Sequence, residues 1–266
     1  MKLKQALKEK LTRKELSLVP SSFDVVGSIA IFNDFSKELK NKEKIIADAL
    51  MSLNPPIKTV AKKSGKYSGR LRTPKITIIS GIKTKETIHK ENNCILRLNI
   101  EKCYFSSRLA NERLRIAKQV KKGEEVLVLF SGIAPYQCVI AKNSKPKEVY
   151  GIELNKTAHK YAEENIKLNK LTNIHLLQGD VKKILPKLNK KFDRIIMPLP
   201  KDSPKYLPLV LKKLKPKGVI HLYLFAREEN FKEIIKEYKR IFSKVNLVSC
   251  GLYAPYTHRI CLDLKR

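Results

Sequence analysis

Short apolar stretches alternate with amphipathic helical stretches through the second half of this chain, and this alternation restricts the possible folds. The five stretches that are predicted to be strands are Glu125–Phe130, Glu148–Glu153, Ile174–Asp180, Phe192–Met197 and Val219–Phe225. Wholly apolar strands joined through helices are typical of a parallel sheet that is covered by helices on both faces. Two late segments, 244–250 and 258–264, predict a closing antiparallel hairpin. The sequence therefore predicts a doubly wound, Rossmann-like α/β domain.

The first hundred residues have a different pattern. A basic helix is predicted over residues 1–19, two β segments meet at Gly27, and a second helix covers 37–51. From 57 to 100 the chain is rich in β-type segments that are separated by Gly and Pro. We therefore predict a smaller α+β module at residues 1–94, followed by the α/β domain at 95–266.

Positive charge is the dominant compositional feature. The chain has 56 Lys and Arg against 25 Asp and Glu, which gives a formal net charge of +31. A folded chain this basic repels itself unless an anionic partner is near, and a nucleic acid backbone is the ordinary candidate. A composition biased by a hot or AT-rich lifestyle is the alternative interpretation.

Other classes of protein are disfavoured by composition. Hydrophobic residues make up 42% of the chain, too many for a disordered protein, and no apolar run reaches the roughly 20 residues that a membrane helix needs. The five cysteines form no CxxC pair and the five histidines have no metal-ligand spacing. We therefore expect no membrane span, no secretion signal, no metal site and a cytoplasmic location.

Candidate ligand-binding residues stand at the carboxyl ends of three successive predicted strands, where doubly wound sheets bind their ligands. Gly132 lies in the turn after the first strand and lets the backbone approach a ligand. Glu153 ends the second strand and can accept both hydroxyls of a ribose, and Asp180 follows the third. Each acid alone fits a helix cap or a surface charge. Together they favour a nucleoside, and the unit resembles the S-adenosylmethionine fold of class I methyltransferases.

The fourth strand ends in a stiff loop of Pro198, Leu199 and Pro200. Neither proline has an N–H group, so carbonyl oxygens and ring faces are what this loop can offer a planar base. A plain strand-to-helix turn is the alternative interpretation.

A charged helix precedes the first strand of the α/β domain. On it Arg108, Glu112 and Arg115 share one face at i, i+4 and i+7. They can form an exposed ion-pair ladder, which contributes little stability. Alternatively, the flanking cations keep Glu112 ionised so that it can accept a proton.

Four segments resemble the signatures of the archaeal and eukaryotic tRNA guanine-37 N1-methyltransferases. The segments are Phe23-Asp-Val-Val-Gly-Ser-Ile-Ala, Thr87-Ile-His-Lys-Glu-Asn, Tyr104-Phe-Ser-Ser-Arg-Leu-Ala-Asn-Glu-Arg and Phe130-Ser-Gly-Ile-Ala-Pro-Tyr. The resemblance covers about residues 20–266 in order. It implies methyl transfer from S-adenosylmethionine to N1 of the guanosine 3′ of the anticodon, by a monomer that binds the anticodon stem-loop of tRNA.

The resemblance also implies roles for single residues. Glu112 would accept the N1 proton, Arg72 (with Arg70 as the fallback) would steady the charge that develops on O6, and Tyr104 would help to position the base or the cofactor. The expected cofactor-contacting residues are Ser106, Arg113, Phe130, Gly132, Glu153, Asp180 and Val181. The expected substrate-contacting residues are Pro198, Leu199 and Pro200.

The sequence departs from the family pattern at three places. Pro198 stands where the family usually has an Asn that bonds the target base, and Val128 stands where it usually has an Asp. The small domain with which many members read the tRNA elbow is also expected to be missing. These departures weaken the predicted contacts with base and cofactor.

Related activities therefore stay open. Some members of the family also methylate C7 of a wyosine intermediate at the same tRNA position. A sister family transfers the aminocarboxypropyl group of the same cofactor in wybutosine synthesis. A catalytically inactive RNA-binding relative is a third possibility, whereas Pro198 argues against a DNA-modifying amino-methyltransferase.

Overall fold

The computed structural model describes residues 3–65, 71 and 73–266. The chain forms two compact units, one of Met1–Glu91 with Ile95–Arg108 and one of Asn92–Cys94 with Leu109–Arg266. The segment Ile95–Arg108, which the sequence analysis assigned to the second domain, thus groups with the first unit by compactness. The functional division at residue 94 stays a prediction.

Among the described residues before residue 100 there are three α-helices and six strands. The helices are α1 (Leu3–Ala6), α2 (Arg13–Leu18) and α3 (Glu43–Leu53). The strands are β1 (Asp24–Val26), β2 (Ile29–Phe32), β3 (Thr59–Lys63), β4 (Ile76–Gly81), β5 (Glu86–Glu91) and β6 (Cys94–Asn99). The strands β1 to β4 form one sheet in chain order, in which β2 and β3 are parallel, and β5 pairs with β6. These elements confirm the predicted α+β module.

The single helix predicted over residues 1–19 is wrong, because the chain forms two short helices there. Thr12 has an extended backbone, with φ −66° and ψ 162°, and it begins α2 through a capping box with Glu15. The Thr12 side chain accepts from the Glu15 N–H while the Glu15 carboxylate accepts from the Thr12 N–H. A new helix start is favoured here because the reciprocal bonds satisfy two orphan donors.

Two of the family-like segments contact each other inside the first unit. Gly27, between β1 and β2, has φ +56°, and a Cβ placed on it would lie 2.2 Å from Thr87 Oγ1. Its N–H donates to His89 Nδ1 at 3.2 Å, and the neighbouring Ser28 N–H donates to Thr87 Oγ1 at 3.1 Å. The turn therefore requires glycine for both its conformation and its close approach to β5.

The remaining elements form the α/β unit. The helices are α4 (Ala110–Gln119), α5 (Pro135–Asn143), α6 (Lys156–Leu168), α7 (Val181–Ile184), α8 (Leu207–Leu211) and α9 (Phe231–Tyr238). The strands are β7 (Glu125–Leu129), β8 (Glu148–Glu153), β9 (Ile174–Gln178), β10 (Phe192–Met197), β11 (Leu214–Ala226), β12 (Lys244–Ala254) and β13 (Thr257–Lys265).

The strand order confirms the predicted doubly wound sheet with a closing hairpin. The seven strands lie in the order β12-β13-β11-β10-β7-β8-β9. Neighbours from β11 to β9 are parallel, whereas β13 runs antiparallel to both β11 and β12. Because the order reverses between β10 and β7, the crevice above that point is where such a sheet binds ligands.

The helices cover the two faces of this sheet. Val181 of α7, Val210 of α8 and Tyr238 of α9 pack in one apolar cluster with Leu127 and Leu222. The adjacent residues on the strands point to the opposite face, because side chains alternate along a strand. Tyr223 lies on that opposite face, where its ring contacts Tyr136 of α5.

The strand predicted at Val219–Phe225 begins earlier than the sequence pattern indicates. Strand β11 already begins at Leu214, which pairs with Phe192 of β10. Lys217 has φ +60°, a left-handed conformation that no helix continues, and the pairing shifts register beyond this point. No helix in the described part of the chain is long and apolar enough to span a bilayer.

Candidate active site

Glu153 is a half-buried carboxylate at the end of β8. Its Oε2 accepts from the Gly132 N–H at 2.6 Å and its Oε1 from the Asn155 N–H at 2.7 Å. Burial raises the pKa of Glu153, and the backbone donors only partly offset this. The donors are neutral backbone groups, so the charge is satisfied without a cation. With Leu154 as a further backbone donor, three of the roughly four acceptor positions of the carboxylate are used, which leaves one for a ligand hydroxyl.

The loop before α5 presents its backbone at the same edge of the sheet. Phe130, Gly132 and Ala134 all have left-handed φ values, of +53°, +56° and +64°. Such values are uncommon outside glycine and cluster where a loop must hold a functional shape. The Phe130 ring packs edge-on against Tyr206, with ring centroids 5.0 Å apart. The loop therefore holds the Gly132 N–H against Glu153.

Asp180 lies beside Glu153, because the Gly179 N–H donates to the Glu153 carbonyl at 2.8 Å. Asp180 is the N-cap of α7, and its Oδ1 accepts from the Lys182 N–H at 2.9 Å. The interpretation of Asp180 as a helix cap is therefore confirmed. The buried Val181 follows directly. Asp180 and Glu153 therefore stand together at the carboxyl ends of adjacent strands.

Glu112 forms the other acidic centre of this unit. It lies on α4 with only 7% of its surface exposed. Arg115 donates to both carboxylate oxygens, at 2.7 and 2.8 Å, and Tyr223 OH donates to Oε1 at 2.5 Å. Burial raises the pKa of Tyr223, so this phenol remains a proton donor. The exposed ion-pair ladder of Arg108, Glu112 and Arg115 does not form, because Arg108 pairs with Asp24 instead.

A buried hydrogen-bond network continues from Arg115 into the sheet. Arg115 also pairs with Asp263 of β13, with its Nη1 2.6 Å from Oδ2. Asp263 Oδ1 is 2.6 Å from His221 Nδ1, and Arg194 Nη1 is 2.6 Å from His221 Nε2. Because a guanidinium can only donate, His221 is the tautomer with its proton on Nδ1, donated to Asp263. Burial lowers the pKa of His221, which keeps it neutral.

His221, Cys261 and Asp263 also bring three potential metal-ligand atoms within 4.8 Å of one another. Two guanidinium groups already occupy this site, because Arg194 donates to His221 and Arg115 to Asp263. We therefore interpret the three residues as part of the hydrogen-bond network.

The loop after β10 is stabilised by hydrogen bonds to the carbonyl oxygen of Met197. Leu199 N–H and Ser203 Oγ both donate to the Met197 carbonyl, at 2.9 and 2.8 Å. Within the described residues, no hydrogen bond reaches the carbonyl oxygens of Pro198 and Pro200. These two acceptors are therefore available to a ligand at the carboxyl edge of β10.

A sequence profile of known families identifies this unit. The TRM5/TYW2 methyltransferase domain matches residues 87–249, more than half of the chain. The chain belongs to the TRM5/TYW2 methyltransferase family. The TYW2 N-terminal domain matches residues 3–84. S-adenosylmethionine is the cofactor of this family.

Similar proteins of known activity fall into more than one group. A tRNA (guanine(37)-N(1))-methyltransferase Trm5b from Pyrococcus abyssi is 38% identical over 93% of this chain and 75% of its own length. A tRNA 4-demethylwyosine(37)-methyltransferase Taw21 from Saccharolobus solfataricus is 32% identical over 91% and 92%. A tRNA(Phe) (4-demethylwyosine(37)-C(7)) aminocarboxypropyltransferase from Methanocaldococcus jannaschii is 36% identical over 78% and 86%.

Solved structures agree with this assignment. A Trm5 protein in complex with tRNALeu is similar with a TM-score of 0.86 and 30% identity, over all of this chain and 78% of the other. A TYW2 protein from M. jannaschii in complex with AdoMet is similar with a TM-score of 0.68 and 27% identity, over 92% and 98%. The predicted fold and family are therefore confirmed.

The predicted site residues divide between the two units. Glu112, Gly132, Glu153 and the Pro198 loop lie in the α/β unit, as do Phe130, Asp180 and Val181. Arg113 also lies there, with 2% of its surface exposed. The partly exposed Tyr104 and Ser106 belong to the first unit. Arg72 and its fallback Arg70 lie outside the described residues.

The hydrogen-bond network behind Glu112 is not predicted by the sequence patterns. It comprises Tyr223, Asp263, His221 and Arg194, with Tyr136 donating to Tyr223 OH at 3.0 Å. The available signal was a set of polar side chains inside otherwise apolar strands, since a buried polar group requires a partner. Val128, which replaces the family's usual Asp, is a fully buried residue of β7.

Proposed function

We propose that this protein transfers a methyl group from S-adenosylmethionine to N1 of the guanosine at position 37 of tRNA. The observation that carries the proposal is a pair of carboxylates held by hydrogen bonds in one family-assigned unit, the half-buried Glu153 at the end of β8 and the buried Glu112 beside Tyr223. Glu153 is suited to bind a ribose, and Glu112 is suited to accept a proton. The similarity to Trm5b supports tRNA as the substrate and guanosine 37 as the methylated position.

The residues at the end of β8 fit the cofactor's nucleoside. The Glu153 carboxylate is bonded only by backbone N–H groups, so it can accept hydroxyl donors without breaking an ion pair. We assign the ribose to Glu153, the adenine end to Asp180 and Val181, and further contacts to Phe130, Gly132, Ser106 and Arg113. When bound, S-adenosylmethionine supplies an electrophilic methyl group.

Glu112 is the group we assign to accept the N1 proton. As N1 gains the methyl group it must lose its proton, and a positioned carboxylate can take it. Arg115 and Tyr223 fix the carboxylate plane, so Glu112 does not have to reorient during the reaction. Arg72 would face O6 of the base and Tyr104 would help to position the ring.

The Pro198 loop is the proposed contact for the target base. Guanine carries N–H groups on its N1 and N2 edge, and the open carbonyls of Pro198 and Pro200 can accept from that edge. Leu199 between them supplies apolar surface. This contact would replace the Asn amide of the usual family loop. The proposal includes a monomer that acts in the cytoplasm on the anticodon stem-loop, with no metal in the reaction.

The test is methyl incorporation from labelled cofactor into tRNA transcripts that carry G or A at position 37, followed by nucleoside mass spectrometry. We expect 1-methylguanosine from the G transcript only. Glu112→Gln should slow single-turnover methylation by about 10²–10⁴-fold. Glu163→Gln is the control, because Glu163 is a helical glutamate that is 55% exposed. Equal labelling of G and A, or full activity of Glu112→Gln at every pH, would overturn the proposal.

The wyosine intermediate is a second candidate substrate. Two observations favour it, the loss of the base-binding Asn at Pro198 and the similarity to Taw21 and to an aminocarboxypropyltransferase. The same mass spectrometry on tRNA carrying the tricyclic base separates a methyl from an aminocarboxypropyl product. No cofactor binding at all would favour the inactive RNA-binding relative.

A further inference from the structure

An exposed aromatic stack lies at the outer end of strands β11, β12 and β13. The rings of Phe225 and Tyr253 are stacked, with centroids 4.0 Å apart and planes inclined by 28°. The Arg259 guanidinium lies over the Phe225 ring at 5.6 Å. Tyr253 is 57% exposed, so much of its surface is open to solvent. We call Phe225, Tyr253 and Arg259 the aromatic platform.

The platform stands on the same face of the sheet as Glu112. Strand β11 continues past the end of β10, because Met197 pairs with Leu222 and Tyr223 already lies beyond it. Tyr223 and Phe225 are two residues apart and therefore point to one face. Arg259 pairs with Phe225, and Cys261 with Tyr223, so the two rows are adjacent.

A β-bulge brings Tyr253 to this face. Burial and the nearby Glu112 carboxylate raise the pKa of the Cys250 thiol, so Cys250 lies on the Glu112 face. Regular alternation would then send Tyr253, three residues later, to the opposite face. Instead the pairing of β12 with β13 shifts register between Ser249 and Leu252. One extra residue reverses the alternation and re-aims the side chain, as bulges beside active sites do.

We infer that the aromatic platform is a stacking site for an unpaired RNA base next to the one that is methylated. The inference rests on the proposed RNA substrate. Aromatic faces with an adjacent Arg are the usual receptors for unpaired bases. Arg227, two residues after Phe225 and 63% exposed, and the chain's net charge of +31 suit the accompanying phosphates.

The distance between Glu112 and the aromatic platform indicates that the platform binds a base next to the reacting one. Phe225 is two residues beyond Tyr223 on the strand, which is about 7 Å. Glu112 is hydrogen-bonded to Tyr223, and a proton acceptor must be within hydrogen-bond reach of the proton it takes. A base on the platform is therefore too far from Glu112 to be the reacting one.

The experiment uses anticodon stem-loop RNA with 2-aminopurine beside the target guanosine, on the 5′ side in one RNA and the 3′ side in another. Stacking on Tyr253 should quench the fluorescence of one of them. Tyr253→Ala should abolish the quenching and weaken RNA binding about tenfold, within the range known for base–aromatic stacking. Tyr253→Phe should retain both, and Tyr253→Leu, which keeps apolar volume without a ring, should lose both.

Tyr256→Ala is the matched control, since Tyr256 is an 80% exposed tyrosine of the same hairpin. Steady-state methylation separates the two proposals. A wild-type protein that methylates no tRNA contradicts the proposed function, whereas the binding data still test the platform. Tyr253→Ala should raise KM about tenfold with kcat within twofold of wild type. Unchanged binding and quenching in Tyr253→Ala, or a fall in kcat alone, would overturn the inference.

Discussion

At the scale of single residues, two glutamates of one unit have opposite environments. Glu112 is paired with a guanidinium and a phenol, whereas Glu153 is half-buried and bonded by neutral backbone donors. A charge without a counter-charge is unfavourable in a buried site unless a ligand satisfies it. The two carboxylates therefore suit different tasks, and substitutions at each should differ in what they change.

Glu153→Gln should weaken cofactor binding about 10- to 100-fold, because hydrogen bonds to a charged group contribute about 1.5–3 kcal/mol. Burial raises the pKa of Glu153 above its ordinary value. Such an acid contributes stability at low pH that is lost as pH rises through its folded-state pKa. The variant cannot lose a proton, so its unfolding free energy relative to wild type should increase with pH.

Calorimetry with S-adenosylmethionine and urea unfolding at several pH values measure both effects. Glu148→Gln at the start of the same strand is the control, and it should bind cofactor as wild type does. Equal cofactor affinity in Glu153→Gln and wild type would rule out the ribose assignment.

Tyr223→Phe removes the donor to Glu112 and the acceptor of the Tyr136 hydroxyl. Both tyrosines are buried, so Tyr136 OH is left without its partner, which destabilises by about 1–3 kcal/mol. Methylation should also slow, because the Glu112 carboxylate loses one of its anchors. Tyr136→Phe leaves the Tyr223–Glu112 bond intact and should retain the rate. Urea unfolding and single-turnover rates measure the two effects, and equal rates in the two variants would contradict a positioning role for Tyr223.

At the scale of elements, α4 is connected to the closing hairpin by a half-buried ion pair. Arg115 of α4 and Asp263 of β13 are 148 residues apart in sequence. Asp263 also holds His221 of β11, so one carboxylate connects a helix and two strands. Removal of one partner of a buried pair leaves an uncompensated charge.

Asp263→Asn should therefore destabilise the protein by about 1.5–3 kcal/mol at neutral pH, the range for hydrogen bonds to charged groups. Although burial opposes it, hydrogen bonds from His221 and Arg115 hold the pKa of Asp263 well below its ordinary value of 3.8. A carboxyl with a lowered pKa contributes stability above its unfolded-state pKa, and that contribution is lost as pH falls below it. The difference between wild type and variant in urea unfolding should shrink below about pH 4. A constant difference from neutral to acid pH would contradict the ion-pair explanation.

At the scale of the whole molecule, the charge of +31 predicts how tRNA binding depends on salt. A protein that contacts about 6–10 phosphates loses about 10³–10⁵ in affinity between 50 and 200 mM salt. We expect a loss of at least about tenfold over that range in filter binding. Cofactor affinity, measured in parallel, should change little. If tRNA affinity does not change with salt concentration, the net charge reflects compositional bias and not tRNA binding.

Much of the α/β unit could be predicted from the sequence because its signals are local. Apolar strands, intervening helices and the acids that end β8 and precede α7 are readable within windows of a few residues. The break in the first predicted helix depended on a single side-chain cap at Thr12. The beginning of β11 depended on its pairing with β10, and the periodicity of a sequence does not show which strands pair.

The sequence by itself determined the sheet, the family and the candidate acids Glu112, Glu153 and Asp180. Only the tertiary structure decided what surrounds them. Tyr223 reaches Glu112 across 111 residues, and a bulge of one residue selects the face on which Tyr253 lies. Local patterns record which side of an element is apolar, whereas partners and register arise from packing among distant segments. For that reason the hydrogen-bond partners of Glu112 became visible only in the folded chain.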